Sequence, residues 1–369
     1  MLRFLTAGES HGPCLLAIIE GLPAGLPIDL DQINLELSRR QRGYGRSHRM
    51  KIEQDRVEIL SGVINKITTG APLALRIENR DWANWKEKWE QGLLEPLTVP
   101  RPGHADYAGM IKYRFDDARP ILERASARET AARVAVGAIA KQLLAQFGIM
   151  VGSYVCQIGS VVANIPSRPY PELWAEAEAS DVRCPNSEDG ERMKMAIDEA
   201  RRNKDTLGGI FEVQAVNVPV GLGSHVHWDR RLDARIAMAM LSIQAIKGVE
   251  IGPAFENASL PGTQVHDDLF LDSNGGVTRF TNRAGGIEGG MSNGNPIVVR
   301  AAMKPIATTG TPSQSVDIVN GRAAAPVYQR SDICAVPAAS VIGEAMLAWV
   351  LAEALVDKLG GDSLEEMKR

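Results

Sequence analysis

The segment from Pro337 to Leu359 constrains the fold most, because it has a helical pattern yet is apolar on almost every side. Proline at its start and Gly360 directly after it are usual signals that begin and end a helix. Its most apolar part is interrupted by Glu344 and Glu353, so it falls short of the ~20 apolar residues of a membrane span. A helix without a polar face has to be buried. The sequence therefore predicts a helix enclosed between other layers.

Three further segments have the periodicity of amphipathic helices. They run from Asp29 to Arg40, from Ser126 to Phe147, and from Asp229 to Lys247, the last ending at Gly248. Ser126 is followed three residues later by Glu129, which predicts a capping box at the start of the second helix.

Apolar runs between these segments predict strands. Strands and helices do not alternate strictly, which disfavours a doubly wound parallel sheet and favours an α+β layered architecture. Without an internal repeat or a low-complexity linker, the sequence does not force a division into domains. The predicted strands are Cys14 to Glu20, Val57 to Ser61, Leu73 to Glu78, Val151 to Ser160, Phe211 to Val218 and Ile297 to Met303.

The composition is that of an ordinary globular protein, not of a disordered, collagen-like or coiled-coil chain. Of its 369 residues, 44% are hydrophobic, and 41 Lys and Arg face 45 Asp and Glu. Its four cysteines form no C-x-x-C pair, which argues against a disulfide framework or a zinc ribbon. No signal-peptide pattern follows Met1, so we expect a soluble cytoplasmic protein that is not bound to a membrane.

A run of positive charge over residues 39–51 is the first candidate binding feature. It holds six arginines and lysines and no acid, in a chain of formal net charge −4. Neither a Rossmann motif nor a P-loop motif is present, so a bound phosphate would need side chains such as these. The planar guanidinium fork suits phosphates, and Gly43 and Gly45 indicate a shaped loop, which favours anion capture. An anion- or RNA-binding module without catalysis is the alternative, although no zinc finger or RRM-like motif accompanies the run and its aromatic content is the single Tyr44.

Two histidines in polar, loop-like contexts are candidate proton donors. His11 lies in Gly8-Glu-Ser-His-Gly12 and His104 in Arg101-Pro-Gly-His-Ala-Asp106. Histidine exchanges protons near neutral pH, so beside an anion site each is a candidate general acid for a departing phosphate. A purely structural role for either one stays open.

His225 and His227 suggest a different hypothesis, a zinc hydrolase. Residues two apart on a strand face the same way and could share a zinc ion, with Asp229 nearby. The H-E-x-x-H motif and a third histidine at helical spacing are missing from the sequence, which weakens this hypothesis.

Six ordered segments match one family when they are taken together. They are Gly8 to Gly12, Arg101 to Asp106, Glu123 to Arg133, Ser242 to Gly252, Gly285 to Gly290, and Arg330-Ser-Asp332 leading to Gly343-Glu-Ala345. Over residues 1 to about 358 the chain resembles the chorismate synthases. The resemblance implies one large domain over residues 1–358, followed by a polar C-terminal tail, residues 359–369. One departure lies at 120–126, where Pro-Ile-Leu-Glu-Arg-Ala-Ser replaces the glycine-rich Arg-Gly-Gly-Gly-Arg-Ser-Ser of many relatives. This resembles a second bacterial branch, for which the segment Asp81 to Trp89 is expected to be a surface element.

The resemblance implies a β-α-β sandwich of antiparallel sheets and helices, and a homotetramer. It implies a carbon–oxygen lyase of the shikimate pathway to aromatic amino acids. Anti-1,4-elimination of phosphate would convert 5-enolpyruvylshikimate 3-phosphate to chorismate. Reduced FMN would be needed without net redox change, with NADPH as an indirect reductant and an external flavin reductase or other electron source. The resemblance implies neither a metal cofactor nor a nucleic-acid partner.

The resemblance also implies roles for individual residues. His11 would protonate the departing phosphate, His104 would protonate the reduced flavin, and Asp332 would help to relay the final proton through the flavin. The implied substrate-binding residues are Ser10, Arg40, Arg46, Arg128 and Arg330, of which Arg40 and Arg46 would also contact the nicotinamide nucleotide. The implied cofactor-binding residues are Arg40, Arg46, Arg124, Ala125, Ser126, Gln244, Ala245, Gly289, Lys304, Pro305, Ile306, Ala307, Thr308 and Arg330.

Overall fold

Helices and strands are interspersed along the chain. The computed structural model describes residues 1–47, 52–311, 313–327 and 331–369. The helices given for these residues are α1 Leu30–Gln41, α2 Trp82–Glu90, α3 Asp106–Tyr113, α4 Arg119–Ala125, α5 Thr130–Ala145, α6 Tyr170–Ala179, α7 Ser187–Arg202, α8 Leu232–Leu241, α9 Ala254–Asn257, α10 Val336–Leu359 and α11 Leu364–Met367. The strands are β1 Arg3–Ala7, β2 Cys14–Glu20, β3 Val57–Ser61, β4 Val63–Ile64, β5 Ile67–Thr68, β6 Leu73–Glu78, β7 Met150–Ile158, β8 Val161–Val162, β9 Gly209–Val216, β10 Ile246–Ile251, β11 Phe270–Leu271, β12 Val277–Thr278, β13 Ile287–Glu288, β14 Met291–Ser292, β15 Ile297–Met303, β16 Ser315–Asp317 and β17 Arg322–Ala324.

Two antiparallel sheets form the outer layers. One has four strands in the order β1-β2-β6-β3, and the other has five in the order β10-β15-β9-β7-β8. The remaining strands pair in two-stranded ribbons. Each of the six predicted strands lies in one of the two large sheets, four of them with the predicted bounds. The apolar runs were therefore a sound guide to the strands.

The layer between the sheets is helical. Helix α5 packs against β2 and β6 of the smaller sheet, while α10 packs against α5 and against β7 and β9 of the larger sheet. The ring of Trp349 in α10 also meets Phe4 of β1, with ring centroids 4.7 Å apart. Helix α10 is long and apolar enough to cross a membrane, yet 89% of its most apolar window is buried inside the protein. The predicted β-α-β sandwich and the predicted burial of this apolar helix are confirmed.

Helices α5 and α10 approach so closely that their contact requires a glycine. A Cβ atom on Gly137 would lie 2.3 Å from the Cβ atom of Ala345 and 2.4 Å from its Cα atom. Such distances are not sterically possible, so any side chain at position 137 would force the two helices apart.

Glu344 is a fully buried carboxylate in this apolar layer, surrounded by positive charge. It accepts hydrogen bonds from Arg39 Nη1 at 2.7 Å, Lys141 Nζ at 2.6 Å and Arg183 Nη2 at 2.9 Å, and from Ser153 Oγ at 2.6 Å. Burial alone would raise the pKa of Glu344, but the three cations lower it well below its ordinary value. The network links α1, α5, β7 and α10, so the role of Arg39 is structural.

The helix predicted from Asp229 to Lys247 is wrong in its second half. Helix α8 ends at Leu241, and the residues from Ile246 onward form β10, the edge strand that pairs with β15. The apolar residues of this stretch pack equally well in either element, and tertiary pairing with β15 decides the outcome.

The predicted capping box at Ser126 is also wrong. The Ser126 hydroxyl accepts from the backbone N of Arg128, which caps a single 3-10 turn, Ala127–Glu129, and α5 begins only at Thr130. The Glu129 carboxylate accepts from Thr6 Oγ1 and Arg133 Nε instead of the cap. Long-range partners outcompete the local cap for this carboxylate.

Residues 359–369, described above as a polar tail, contain α11. Leu364 and Met367 of this helix belong to the main hydrophobic core. The backbone N of Ala24 donates to Asp362 O at 2.9 Å, which holds the end of the chain beside the smaller sheet.

Substitution Gly137→Ala should destabilise the fold, because the new methyl group meets Ala345. We expect the free energy of unfolding to fall by about 1–3 kcal/mol, the usual effect of overpacking a core. Gly190→Ala in α7 is the matched control, since a Cβ atom there would meet neighbours only at 3.6 Å or more. It should be neutral or stabilising, because alanine favours helix. Equal thermal midpoints for the two variants in calorimetry would contradict the close contact of α5 and α10.

Candidate functional site

His11 lies in the loop between β1 and β2, which is anchored to the start of the helical layer. The backbone N of Ser10 donates to Glu123 O at 3.1 Å, and Ser126 Oγ donates to Ser10 Oγ at 3.0 Å. Gly8 begins the loop with φ 109°, and a Cβ atom there would lie 2.4 Å from Cys14 O, so only glycine fits. The loop is therefore held in one conformation against α4 and the turn that precedes α5.

The ring of His11 is contacted by a carboxylate and by an aromatic ring. Glu123 accepts from the backbone N of His11 at 2.8 Å, and its Oε1 lies 2.9 Å from His11 Nδ1. The Glu123 side chain is 2% exposed and that of His11 is 15% exposed. The ring of Trp85 in α2 lies with its centroid 4.3 Å from that of His11. The segment expected to be a surface element thus reaches the candidate acid.

Two arginines predicted to bind substrate are buried and share one carboxylate. Asp55 accepts from Arg40 Nη2 at 2.8 Å and from Arg128 Nη1. Burial would raise the pKa of Asp55, but the two guanidinium groups lower it below its ordinary value. Arg128 Nε donates to Asn79 Oδ1 at 2.8 Å, and Asn79 Nδ2 donates to Gly12 O at 2.8 Å. Asn79 thereby joins the buried arginines to the His11 loop.

Several predicted cofactor residues lie near Glu129, which directly follows Arg128 in the chain. Gln244 Nε2 donates to Glu129 Oε2 at 3.2 Å, and Arg124 lies 3.8 Å from the same carboxylate. Among the described residues, Gln244 Oε1 is buried and has no hydrogen-bond partner. Ala245 has φ 67°, unusual for a residue with a Cβ atom, and its O accepts from the backbone N of Lys304 at 2.9 Å.

His104 forms a second polar group with its neighbours in sequence. Its Nδ1 is hydrogen-bonded to Asp106, which also accepts from Arg101 Nε at 2.8 Å. Burial would raise the pKa of Asp106, but the bonds to His104 and Arg101 lower it well below its ordinary value. Lys304 Nζ donates to Gly103 O at 2.6 Å, so the His104 loop adjoins the segment 304–308.

Asp332 and the residue before it contact two other parts of the predicted site, Arg46 and the segment 304–308. Its Oδ2 accepts from Arg46 Nη1 at 2.6 Å, and the adjacent Ser331 Oγ donates to Thr308 O at 2.9 Å. Within 305–307, Ile306 O accepts from Thr206 Oγ1 at 2.8 Å. Arg330 and positions 48–51 of the basic run lie outside the described residues.

The remaining predicted residues and the basic run are distributed over several elements. The basic run does not act as a unit, because Arg39 binds Glu344 whereas Arg40 binds Asp55. Gly289 lies in the turn between β13 and β14. Ala125, the last residue of α4, lies directly between the predicted residues Arg124 and Ser126.

The zinc hypothesis gains no support from the geometry. His227 Nδ1 lies 2.7 Å from Asp229 Oδ1, and both side chains are more than half exposed. In the part of the chain that the structure describes, no group of three or more His, Cys, Asp or Glu side chains is placed to hold a metal ion.

Sequence reasoning assigned no role to Asp55, Glu123 or Trp85. The position of Glu123 carried a weak signal, since an acid stands where many relatives have glycine. Asp55 carried none, because its arginine partners are distant in sequence.

The fold is an α+β sandwich, in which two antiparallel sheets enclose a helical layer. Its polar site consists of the histidine loop and the buried, charge-paired arginines behind it. The sequence model described as Chorismate synthase matches residues 2–356. The chain belongs to the chorismate synthase family, as the sequence motifs predicted.

Similar proteins agree over the full length. Chorismate synthase of Aquifex aeolicus is 57% identical over 381 residues, covering 100% of this chain and 96% of that protein. Chorismate synthase of Desulforamulus reducens is 55% identical over 374 residues, covering 100% and 97%. A crystal structure of chorismate synthase matches with a TM-score of 0.82 and 50% identity, covering 100% of this chain and 95% of that one. The shared fold is thus confirmed independently of the motifs.

Substitution Asp106→Asn should lower the thermal midpoint near pH 7 but not at acidic pH. The pKa of Asp106 is depressed in the folded state, so its ionised form stabilises the protein above its unfolded pKa of about 4, and this contribution is lost as pH falls through the folded pKa. The difference between wild type and variant should therefore shrink below about pH 4. Asp116→Asn, at an exposed position nearby, is the control. A difference that does not change with pH would contradict the assigned pairing.

Proposed function

We propose that this chain is a carbon–oxygen lyase that eliminates phosphate from 5-enolpyruvylshikimate 3-phosphate to form chorismate. The reaction is an anti-1,4-elimination at the last common step towards the aromatic amino acids, carried out in the cytoplasm. The observation that carries the proposal is the anchored His11 loop backed by Arg40 and Arg128, in a chain 55–57% identical to proteins named chorismate synthase.

The polar cluster supplies the groups that phosphate departure needs. A leaving phosphate gains negative charge, which a proton donor and fixed positive charge stabilise. His11 is the proposed donor, and Ser10 adds a hydroxyl group beside it. Arg40 and Arg128 are held in place by Asp55, so they require no reorganisation when an anion arrives. Arg46, bound to Asp332, is proposed to help capture the substrate.

We propose reduced FMN as the cofactor, and the residues present fit it. The buried Gln244 Oε1 is an acceptor without a partner among the described residues, suited to an N–H group of the flavin ring. Arg124 and Lys304 supply positive charge for the flavin phosphate. When bound, reduced FMN would supply electron density to the substrate as phosphate leaves and recover it afterwards, without net oxidation.

The chain's own acid–base groups are proposed to serve this cofactor. Asp106 is hydrogen-bonded to Nδ1 of His104 and Arg101 Nη2 lies 3.3 Å from Nε2, so these two residues orient the imidazole that is proposed to protonate the flavin. Asp332, oriented by Arg46, offers a carboxylate that can accept the proton lost from the substrate. Both side chains adjoin the segment 304–308, through Gly103 and Ser331 respectively.

We also propose a homotetramer that receives electrons from outside. Leu5, Leu16 and Ile18 are 73%, 37% and 48% exposed on the outer face of the smaller sheet, and a second copy could cover this apolar face. Light scattering of the purified chain tests the assembly. The proposed electron source is an external flavin reductase or a similar donor, with NADPH as the indirect reductant.

Phosphate release under anaerobic conditions tests the function. Purified chain with the enolpyruvyl substrate and chemically reduced FMN should release phosphate and chorismate in equal amounts. The controls are oxidised FMN in air and reaction mixtures without flavin, which should give neither product. Equal rates with oxidised and reduced FMN would contradict the proposed cofactor role.

The same assay distinguishes the two candidate proton donors from the residues of the alternative zinc site, by comparing alanine variants. His11→Ala and His104→Ala should each lower turnover by about 10²- to 10⁴-fold, the usual contribution of proton transfer, while flavin binding is retained. His227→Ala, at an exposed position, is the matched control and should remain active. Loss of activity only in His227→Ala would favour the zinc hydrolase instead.

A further inference from the structure

We infer that Glu123 and Trp85 are positioning residues that fix the imidazole ring of His11. The inference rests on the proposed function, whose candidate acid is His11. It identifies the ring nitrogen that transfers the proton and the residues that hold the ring in place.

Glu123 makes three contacts to two consecutive residues of the loop. Its carboxylate accepts from the backbone N of His11 and bonds Nδ1 of the same residue, and its backbone O accepts from Ser10 N. An ionised carboxylate can only accept hydrogen bonds, so Nδ1 has to carry a proton. Proton transfer to the substrate is thereby assigned to the opposite ring nitrogen, Nε2, which has to bind a second proton first: the imidazolium gives up that proton from Nε2 and returns to the neutral form that keeps its proton on Nδ1.

Trp85 covers the ring that Glu123 holds by its edge. The two ring planes are inclined by 37°, and a centroid distance of 4.3 Å leaves no room for water between them. The bond from Glu123 restrains one ring atom, whereas the indole restrains rotation of the ring about that bond. Together the two contacts define a single orientation of His11.

One short helix supports both contacts. Glu123 lies in α4, four residues after Arg119, and residues at this spacing share a helix face. The Arg119 guanidinium lies 5.8 Å from the Trp85 ring, and its Nη2 donates to Glu95 O at 2.8 Å. Helix α4 therefore holds the carboxylate directly and braces the indole through Arg119.

The test for Glu123 uses Glu123→Gln. Glutamine offers one acceptor and one donor where glutamate offers two acceptors, so it cannot satisfy both N–H groups of His11. In nitrogen-15 NMR of histidine-labelled protein without substrate, recorded at a pH where the imidazole carries a single proton, wild type should show that proton on Nδ1 of His11. The variant should shift the proton towards Nε2. Its kcat should fall about 10²-fold or more while KM stays within about twofold, as expected for a misassigned tautomer.

The test for Trp85 compares Trp85→Ala with the conservative Trp85→Phe. Alanine should lower kcat and broaden the His11 signals, and phenylalanine should restore most of both, because it keeps an aromatic face. Trp89→Ala is the matched control on the same helix, since its ring contacts Trp82 and not His11. It should behave as wild type.

Two results would overturn the inference. One is an unchanged His11 tautomer together with unchanged kcat in Glu123→Gln. The other is a loss of kcat in Trp89→Ala as large as in Trp85→Ala, which would indicate a general effect on α2. The NMR measurement needs no turnover, so an inactive wild type would refute the proposed function while the tautomer still tests the positioning of His11.

Discussion

Pairing of buried charge is the constraint on which the rest of this structure depends. An ion taken out of water loses several kcal/mol of hydration, so a buried arginine persists only with an acid at hydrogen-bond distance. Glu344 meets this requirement between the helices, with Arg39 among its partners, and Asp55 meets it behind the His11 loop for Arg40 and Arg128. The same pairing that makes the fold possible leaves the arginines of the site fixed before any ligand binds.

This arrangement links the fold to the proposed chemistry. Close packing of α5 against α10 places the start of α5, and the turn before it, at one end of the smaller sheet. Arg128 and Ser126 of that turn contact Asn79 and Ser10, which fix the His11 loop. The site is therefore assembled from distant segments whose positions are set by the core. Such rigidity suits a reaction whose difficulty lies in stabilising charge as a bond breaks.

The sequence predicted those features that depend on local pattern. The absence of a polar face identified α10, apolar runs identified the strands, and motifs identified the family and His11. Pattern failed after Leu241, where an apolar run became β10 because a partner strand was available. It also treated the basic run as one unit, whereas the α1 helix turns Arg39 and Arg40 towards different partners. Glu123 lies 112 residues from His11 in sequence, so only folding reveals their contact.

In the proposed site, the phosphate group of the substrate binds beside His11. A crystal structure of this chain with the enolpyruvyl substrate and reduced FMN tests this position most directly. The proposed site predicts phosphate oxygens within about 3.5 Å of His11 Nε2 and of Ser10, with Arg40 and Arg128 behind them. A phosphate bound away from this loop, for instance beside His225 and His227, would contradict it.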